Sequence, residues 1–517
     1  KVFALIGDGE SQEGQVYEMA HFSAKYKLDN FVVFMDYNQV QLSDSTESIM
    51  PVDFAAFFRV AGWEVIEADA HDFEAMWNAL GKACGAKDGK SRGKPTIILG
   101  HSVMGKGVDF MEKEGLAHKA TWHGNAPKSE DADRVLASTS LTLSAEERAL
   151  ADSIHPLIRW KPEEPKFPED LSPVLGRDGK PIETGTPRVY DAEESIDCRT
   201  AYGKALLDLA ELNPEIVALT ADLRASVMTK FVYEKFPDRH VDVGIAEQHM
   251  VSCSGGMSLT GFIPFCSTFG AFMTSRAKDQ ARVNDINQTN VKMVATHCGL
   301  SVGEDGPTHQ VIDDMGSMLG LLNTMVIEPA DPNQTDRIIR YVASHWGNFY
   351  VRMGRHKFPI LLKEDGTPYY GADYVYEYGK CDVIREGATV TVAASGAMVS
   401  QALAAIELLE KMRSSGQHGS EISVELVAVS SIKKFDETLM GAIQKTRRVV
   451  TIEDHNTRSG LGSQLARELM LREIRVEAFK MMGVEAYQLS GKWNELYAAA
   501  GLSPEAIAQN LLSVVKK

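Results

Sequence analysis

The apolar run Val-Phe-Ala-Leu-Ile (2–6) passes without a break into Gly7-Asp8-Gly9-Glu10, and this junction narrows the fold more than any other stretch. A short continuous apolar run reads as a strand buried on both faces, the habit of a parallel sheet. Asp8 then falls at the carboxyl end of that strand, where open α/β sheets bind ligands. The flanking glycines let backbone approach an anion closely. Val16, Met19, Ala20 and Phe22 follow at helical spacing, and a second run, 31–36, ends just before Asn38. Further strands near 64–67 and 96–100, with a helix over 72–84 between them, complete a β/α alternation. Such an alternation predicts a parallel sheet covered on both faces by helices.

The same rhythm returns twice. Helix 199–211, strand 216–220 and strand 291–296 belong to a second alternating region; strands 389–394, 423–429 and 448–452 and helix 504–515 belong to a third. The expected fold is α/β, three consecutive units with mainly parallel sheets flanked by helices, the third smaller. The units are expected at 1–160, 196–362 and 370–517. Residues 161–195 form a linker, because text such as Trp160-Lys-Pro-Glu-Glu-Pro-Lys-Phe-Pro168 loses the alternation. A chain that opens at Lys1 directly in an apolar strand is expected to lack an N-terminal part of its first unit.

A net charge of −17 argues against nucleic acid as a partner, and an anionic substrate would need a local arginine cluster. No run of eighteen apolar residues predicts a membrane span. The cysteines at 84, 198, 253, 266, 298 and 381 lack CxxC spacing, as expected for reduced thiols in a cytoplasmic protein.

Two constellations carry chemistry. In the first, Asp8, Asn38 and the Val40 carbonyl, joined by phosphate oxygens, make a hard oxygen shell suited to magnesium or calcium. In the second, Glu247 opens a helix in Gly-Ile-Ala-Glu-Gln-His-Met (244–250), Phe269 and Phe272 stand three apart, and Gly-Glu-Asp-Gly-Pro-Thr-His (303–309) follows. An acid among apolar neighbours has a raised pKa and can share a proton with an aromatic ring nitrogen. The phenylalanine faces can stack on that ring. His297 and His309 suit proton movement at a bound substrate through imidazoles of near-neutral pKa. Taken together, the two sites point to thiamine diphosphate.

These motifs, over nearly the whole chain, resemble the transketolase family. The resemblance implies two thiamine diphosphate-binding-fold domains and a C-terminal domain. It also implies transfer of a two-carbon ketol unit from a ketose phosphate such as xylulose 5-phosphate to an aldose phosphate such as ribose 5-phosphate. It further implies a homodimer, with active sites at the subunit interface. On the matching positions, Glu247, His309, His123 (in Trp122-His123-Gly124) and His297 would be catalytic. Gly9, Glu13, Asn38, His123, Asp222, Glu247, Phe269 and Phe272 would hold the cofactor, and Asp8, Asn38 and Val40 the metal. Arg199, Ser226, His297, Asp305, His309 and Arg355 would bind the sugar phosphate, with Arg352 the residue most easily confused with Arg355. Met273-Thr-Ser-Arg276 departs from the aromatic-containing stretch of many members, so ring packing there is expected to differ. A dihydroxyacetone synthase-type or deoxyxylulose-phosphate synthase-type transferase and a catalytically inactive transketolase-like binding protein stay open as alternatives. The glycine-rich turns 391–396 and 459–462 resemble nucleotide loops only weakly, and a structural role is expected for them.

Overall fold

In the computed structural model the chain separates into two compact units, Lys1–Lys166 and Phe167–Lys517. Residues 1–85, 93–137, 144–154, 172–194, 196–415 and 422–515 are described. Much of the expected linker, including Trp160–Pro168, lies outside them.

The first unit carries a four-stranded sheet of β1 (Val2–Gly7), β2 (Phe31–Tyr37), β3 (Glu64–Asp69) and β4 (Thr96–His101), ordered β1-β2-β4-β3 and parallel throughout. Alternation along the central strands feeds two cores. Val33, Met35, Ile97 and Leu99 pack with Phe54, Phe58 and Trp63 on one face, and Val32 and Ile98 pack with Ala79 and Ala83 on the other. Burial on both faces explains why these strands read as unbroken apolar runs. The edge strand β1 differs from that expectation: Val2, Phe3 and Leu5 are exposed, and among the described residues it pairs with β2 alone.

In the second unit six parallel strands run in the order β6-β5-β7-β8-β10-β9. They are β5 (Ile216–Thr220), β6 (His240–Asp242), β7 (Ile263–Phe269), β8 (Lys292–Thr296), β9 (Thr324–Ile327) and β10 (Asn348–Arg352). Helices Cys198–Leu212 and Pro332–Ser344 belong to the core on one face, where Tyr202, Leu206 and Leu209 meet Ile338, Ile339 and Val342. Both helices start on an aspartate, Asp197 and Asp331, whose side chain accepts an N–H of the first turn.

The same unit contains a five-stranded sheet ordered β11-β13-β12-β14-β15. Its strands are β11 (Cys381–Arg385), β12 (Val390–Ala394), β13 (Val424–Val429), β14 (Arg448–Ile452) and β15 (Ala478–Met482). Only β11 runs antiparallel, paired with β13. A buried arginine, held by ion pairs within the six-stranded region, ties the two sheets by a hydrogen bond. Arg352 at the end of β10 is fully buried, its Nε 2.7 Å from Asp314 and its Nη1 paired with Glu328. Its Nη2 donates to the carbonyl of Asp454, just beyond β14, at 3.2 Å. The two glycine-rich turns are structural. Leu461 and Gly462 donate their N–H groups to Glu453, so a carboxylate of the chain fills the place an anion would take. Gly396 adopts φ 55° against the Glu328 side chain, where a Cβ would sit 2.4 Å from Oε1. Among the described residues no helix is long and apolar enough to cross a membrane.

Candidate functional site

Parallel strands gather their carboxyl ends at one edge, and the second sheet loads that edge with polar and aromatic groups. Phe269 ends β7, and His297 directly follows β8. Their rings stack at 3.8 Å between centroids. Phe272, one turn on, stacks on Phe269 at 5.6 Å, and His309 meets both rings edge-on, at 6.1 and 5.2 Å. His309 therefore joins the cluster from a separate loop, its Nδ1 2.9 Å from Thr308 Oγ1.

Backbone strain marks the same edge. His297 adopts φ 58° and Asp222, just past β5, φ 60°. Left-handed conformations of this kind in non-glycine residues persist where the surroundings fix them, often at functional sites. Asp222 is exposed, and its N–H donates to Asp242 at 3.0 Å.

Glu247 opens helix Glu247–Leu259 and is buried, with 3% of its surface exposed. A carboxylate in a first turn is favoured by the amide dipoles there. To the expected apolar neighbours the structure adds Arg276, whose Nη1 lies 2.8 Å from Glu247 Oε1. That guanidinium also lies over the Phe272 ring, 4.1 Å from its centroid. The departing stretch 273–276 thus supplies a cation that bridges the acid and the ring cluster.

His297 corrects a second expectation. Burial, reinforced by the Arg199 and Arg355 charges, pushes its pKa down to about 2. The ring is neutral at physiological pH. It can donate or accept a hydrogen bond but does not act as a near-neutral acid.

Arg199 stands behind this ring. Its Nη1 donates to the Ser226 carbonyl at 3.2 Å and lies 3.4 Å from His297 Nε2, while Nη2 pairs with Asp197 at 3.1 Å. Its Nε is buried without a partner among the described residues, a donor left to be satisfied. Arg355 follows β10 by three residues. Its N–H donates to Ser301 Oγ, its Nη1 donates to the Val302 carbonyl at 2.9 Å, and Asp305 lies 3.5 Å from that nitrogen. Arg199 and Arg355 both line a cleft of 460 Å³. Arg352 and Arg355 are thereby separated: the first is locked between carboxylates, and the second is partly exposed at the cleft.

The first unit holds the other constellation. Asp8, at the end of β1, is buried and accepts N–H bonds from Gly9 at 2.7 Å and Gln39 at 2.5 Å. Burial raises its pKa, and the neighbouring Asp36 carboxylate adds to the rise. Asn38 Oδ1 accepts the Val40 N–H at 2.9 Å, and Asn38 Nδ2 is 3.2 Å from Asp36. Gln39 between them adopts φ 61°. Among the described residues no group of three or more His, Cys, Asp or Glu side chains could hold a metal, so the expected shell rests on Asn38 and the Val40 carbonyl beside Asp8. Gly9 lies against Gln41, whose Cγ would be 2.9 Å from an added Cβ. Glu13 and His123 are exposed; Glu13 precedes helix Gly14–Lys25 without a capping bond, and His123 follows a short 3₁₀ turn.

The second unit thus brings together Glu247, Phe269, Phe272, His297 and His309, and beside them Arg199, Ser226, Asp305 and Arg355. The first brings together Asp8, Gly9, Asn38 and Val40. Reading the sequence missed Arg276 as the partner of Glu247. Its signal was the unexplained departure at 273–276.

Three family models match in succession: the transketolase thiamine diphosphate binding domain at residues 1–137, the pyrimidine binding domain at 194–359 and the C-terminal domain at 379–507. Among curated proteins, transketolase-like protein 2 of Mus musculus is 30% identical over the whole chain and 75% of its own length. Transketolase of Rattus norvegicus is 29% identical over the whole chain and 76% of its length. A split-gene transketolase, described as an inactive β4 tetramer, is 33% identical and covers 62% of this chain and 99% of its own, with a TM-score of 0.53. Transketolase from Pichia stipitis, in complex with sedoheptulose 7-phosphate, shares the fold at 20% identity. It has a TM-score of 0.72 and covers 99% of this chain and 76% of its own. With the sheet order, the three consecutive matches and a likeness of this degree over the whole of this chain, the chain belongs to the transketolase family of transferases.

Proposed function

We propose that this chain is a transketolase, moving a two-carbon ketol unit between a ketose phosphate and an aldose phosphate with thiamine diphosphate and a divalent cation, magnesium or calcium. The observation that carries the reading is the buried Glu247 beside the Phe269–Phe272–His297–His309 cluster, with Arg199 linking that cluster to a cationic cleft. Thiamine diphosphate supplies, when bound, the electron sink for breaking the bond between the second and third carbons of the ketose.

The residues present divide the remaining work. Glu247 shares a proton with a ring nitrogen of the cofactor, and Phe269 and Phe272 fix the plane of that ring. Asp8, Asn38 and the Val40 carbonyl hold the metal, while Gly9, Glu13, His123 and Asp222 complete the cofactor site. His309 moves protons at the substrate hydroxyls. His297, neutral, holds a hydroxyl by hydrogen bond, as does Asp305. Arg199, Ser226 and Arg355 grip the phosphate, where guanidinium forks suit phosphate oxygens despite the negative net charge. We further propose a cytoplasmic homodimer. The six free thiols support that compartment.

The test is to supply xylulose 5-phosphate and ribose 5-phosphate with cofactor and magnesium and to follow sedoheptulose 7-phosphate. Its formation supports the proposal. Condensation with pyruvate in its place supports a deoxyxylulose-phosphate synthase-type reaction. Cofactor binding without turnover of any sugar supports a transketolase-like binding protein, a reading favoured by the likeness to an inactive tetramer.

A further inference from the structure

The cleft that holds Arg199 and Arg355 has a wall that the C-terminal sheet region provides. Lys492, Trp493 and Asn494 line it together with Ser301, Val302 and Gly303. This wall is fixed to the substrate loop. Ser490 Oγ donates to the Glu304 carbonyl at 2.6 Å, and Gln310 Nε2 donates to the Leu489 carbonyl at 3.0 Å. Leu300 N–H donates to Asp454 at 2.9 Å, and Tyr497 OH donates to the other oxygen of that carboxylate at 2.8 Å. The Trp493 ring lies 4.2 Å from His356, next to Arg355. A wall held at this many points cannot move away from the loop without breaking buried bonds.

Lys492 is exposed, and among the described residues its ammonium makes no ion pair with a carboxylate. The two arginines differ from it. Arg199 is tied to Asp197, and Arg355 to Asp305 and Glu304. Each arginine charge is therefore partly answered before any substrate arrives, whereas that of Lys492 is not. A dianionic phosphate held between the two arginines leaves charge that a further cation on the same cleft can meet.

We propose that Lys492 is a specificity-determining residue: from the C-terminal wall it contacts the phosphate of the sugar substrate and favours phosphorylated over unphosphorylated sugars. This rests on the transketolase reading above for the nature of the substrate, but not for the existence of an anion site. Lys492→Met should raise the ratio of KM for ribose 5-phosphate to KM for ribose roughly three- to fivefold, the effect of one solvent-exposed charge contact. Lys492→Arg should restore it.

Calorimetric titration of the cofactor-free protein with ribose 5-phosphate and with ribose provides a readout that needs no turnover. A weaker affinity of the Met variant for ribose 5-phosphate, with the wild-type value regained in Lys492→Arg, is the expected result. Unchanged binding of ribose 5-phosphate in Lys492→Met, or an equal shift for both sugars, overturns the proposal. Failure of the wild-type protein to transfer a ketol unit would instead overturn the function, with the binding comparison still decisive for Lys492.

Discussion

Replacing Arg352 by methionine tests how the C-terminal region supports the substrate loop. The methionine keeps much of the apolar stem and removes a charge that two buried carboxylates share. Asp314 is fully buried and lies 2.7 Å from Arg352 Nε, and Glu328 pairs with Nη1. Tyr350 donates its hydroxyl to Asp314 at 2.7 Å, but it brings no charge. His455 lies 3.7 Å from Asp314 without balancing it. Its Nε2 accepts the Met315 N–H and its Nδ1 faces the Asn456 carbonyl, so the ring is neutral. Removing one partner of a buried ion pair costs about 3–5 kcal/mol. Spread over the unfolding entropy of a unit this size, that loss lowers the melting midpoint by roughly 4–7 °C. Differential scanning calorimetry at neutral pH reads it directly. Adding Glu328→Gln to Arg352→Met should recover part of the loss, because the uncompensated charge is removed with its partner. The variant also loses the Nη2 bond to the Asp454 carbonyl. Asp454 anchors Leu300, so KM for sugar phosphates should rise with little change in kcat. A midpoint equal to wild type in Arg352→Met, or a double variant that melts lower by the sum of two independent losses, would refute the reasoning.

Three further outcomes are expected. Glu247→Gln should lower kcat by at least ~100-fold, the loss of a general acid/base step, while circular dichroism shows the fold unchanged; wild-type turnover would remove Glu247 from the chemistry. Arg355→Ala should raise KM for phosphorylated sugars roughly tenfold, as for a charge-assisted phosphate contact, and an unchanged KM would take Arg355 out of the clamp. The third concerns His455, fully buried, whose pKa burial pushes down to about 4 against the opposing pull of Asp314. The native state then binds fewer protons than the unfolded chain between its folded value and about 6.5. Stability is full above that window and is lost as pH falls through it, by up to roughly 3 kcal/mol. Urea titrations at pH 7 and pH 4 should show a smaller acid loss in His455→Gln than in wild type, and equal losses would contradict the assignment.

Particular residues show how far the sequence could be read. Strands such as β2, β5 and β14 were legible because a strand buried on both faces is apolar at most positions. Asp8 and Asn38 were legible because the α/β pattern fixes where a strand ends and which edge it faces. Glu247 and the two phenylalanines lie within one short stretch, so spacing alone placed them together. Arg355 was assigned to the clamp by the family resemblance, but nothing local separates it from Arg352, since both are cations on one strand and its exit. Which of them meets buried carboxylates depends on β9, β14 and the helix between β8 and β9. The neutral state of His297 was equally hidden, because it follows from burial and from Arg199, almost a hundred positions away.

Local chemistry and periodicity thus determined the α/β units and the strand ends that hold the candidate ligands, since each depends on neighbours a few positions apart, while the family came from the resemblance of the motifs along the chain. Only the tertiary structure decided the partners: Arg276 on Glu247, Asp454 under Leu300, and Lys492 on the cleft that Arg199 and Arg355 line. Charge and hydrogen-bond energies fall steeply with distance, and in a chain of this length folding, not sequence position, sets the distances between such groups.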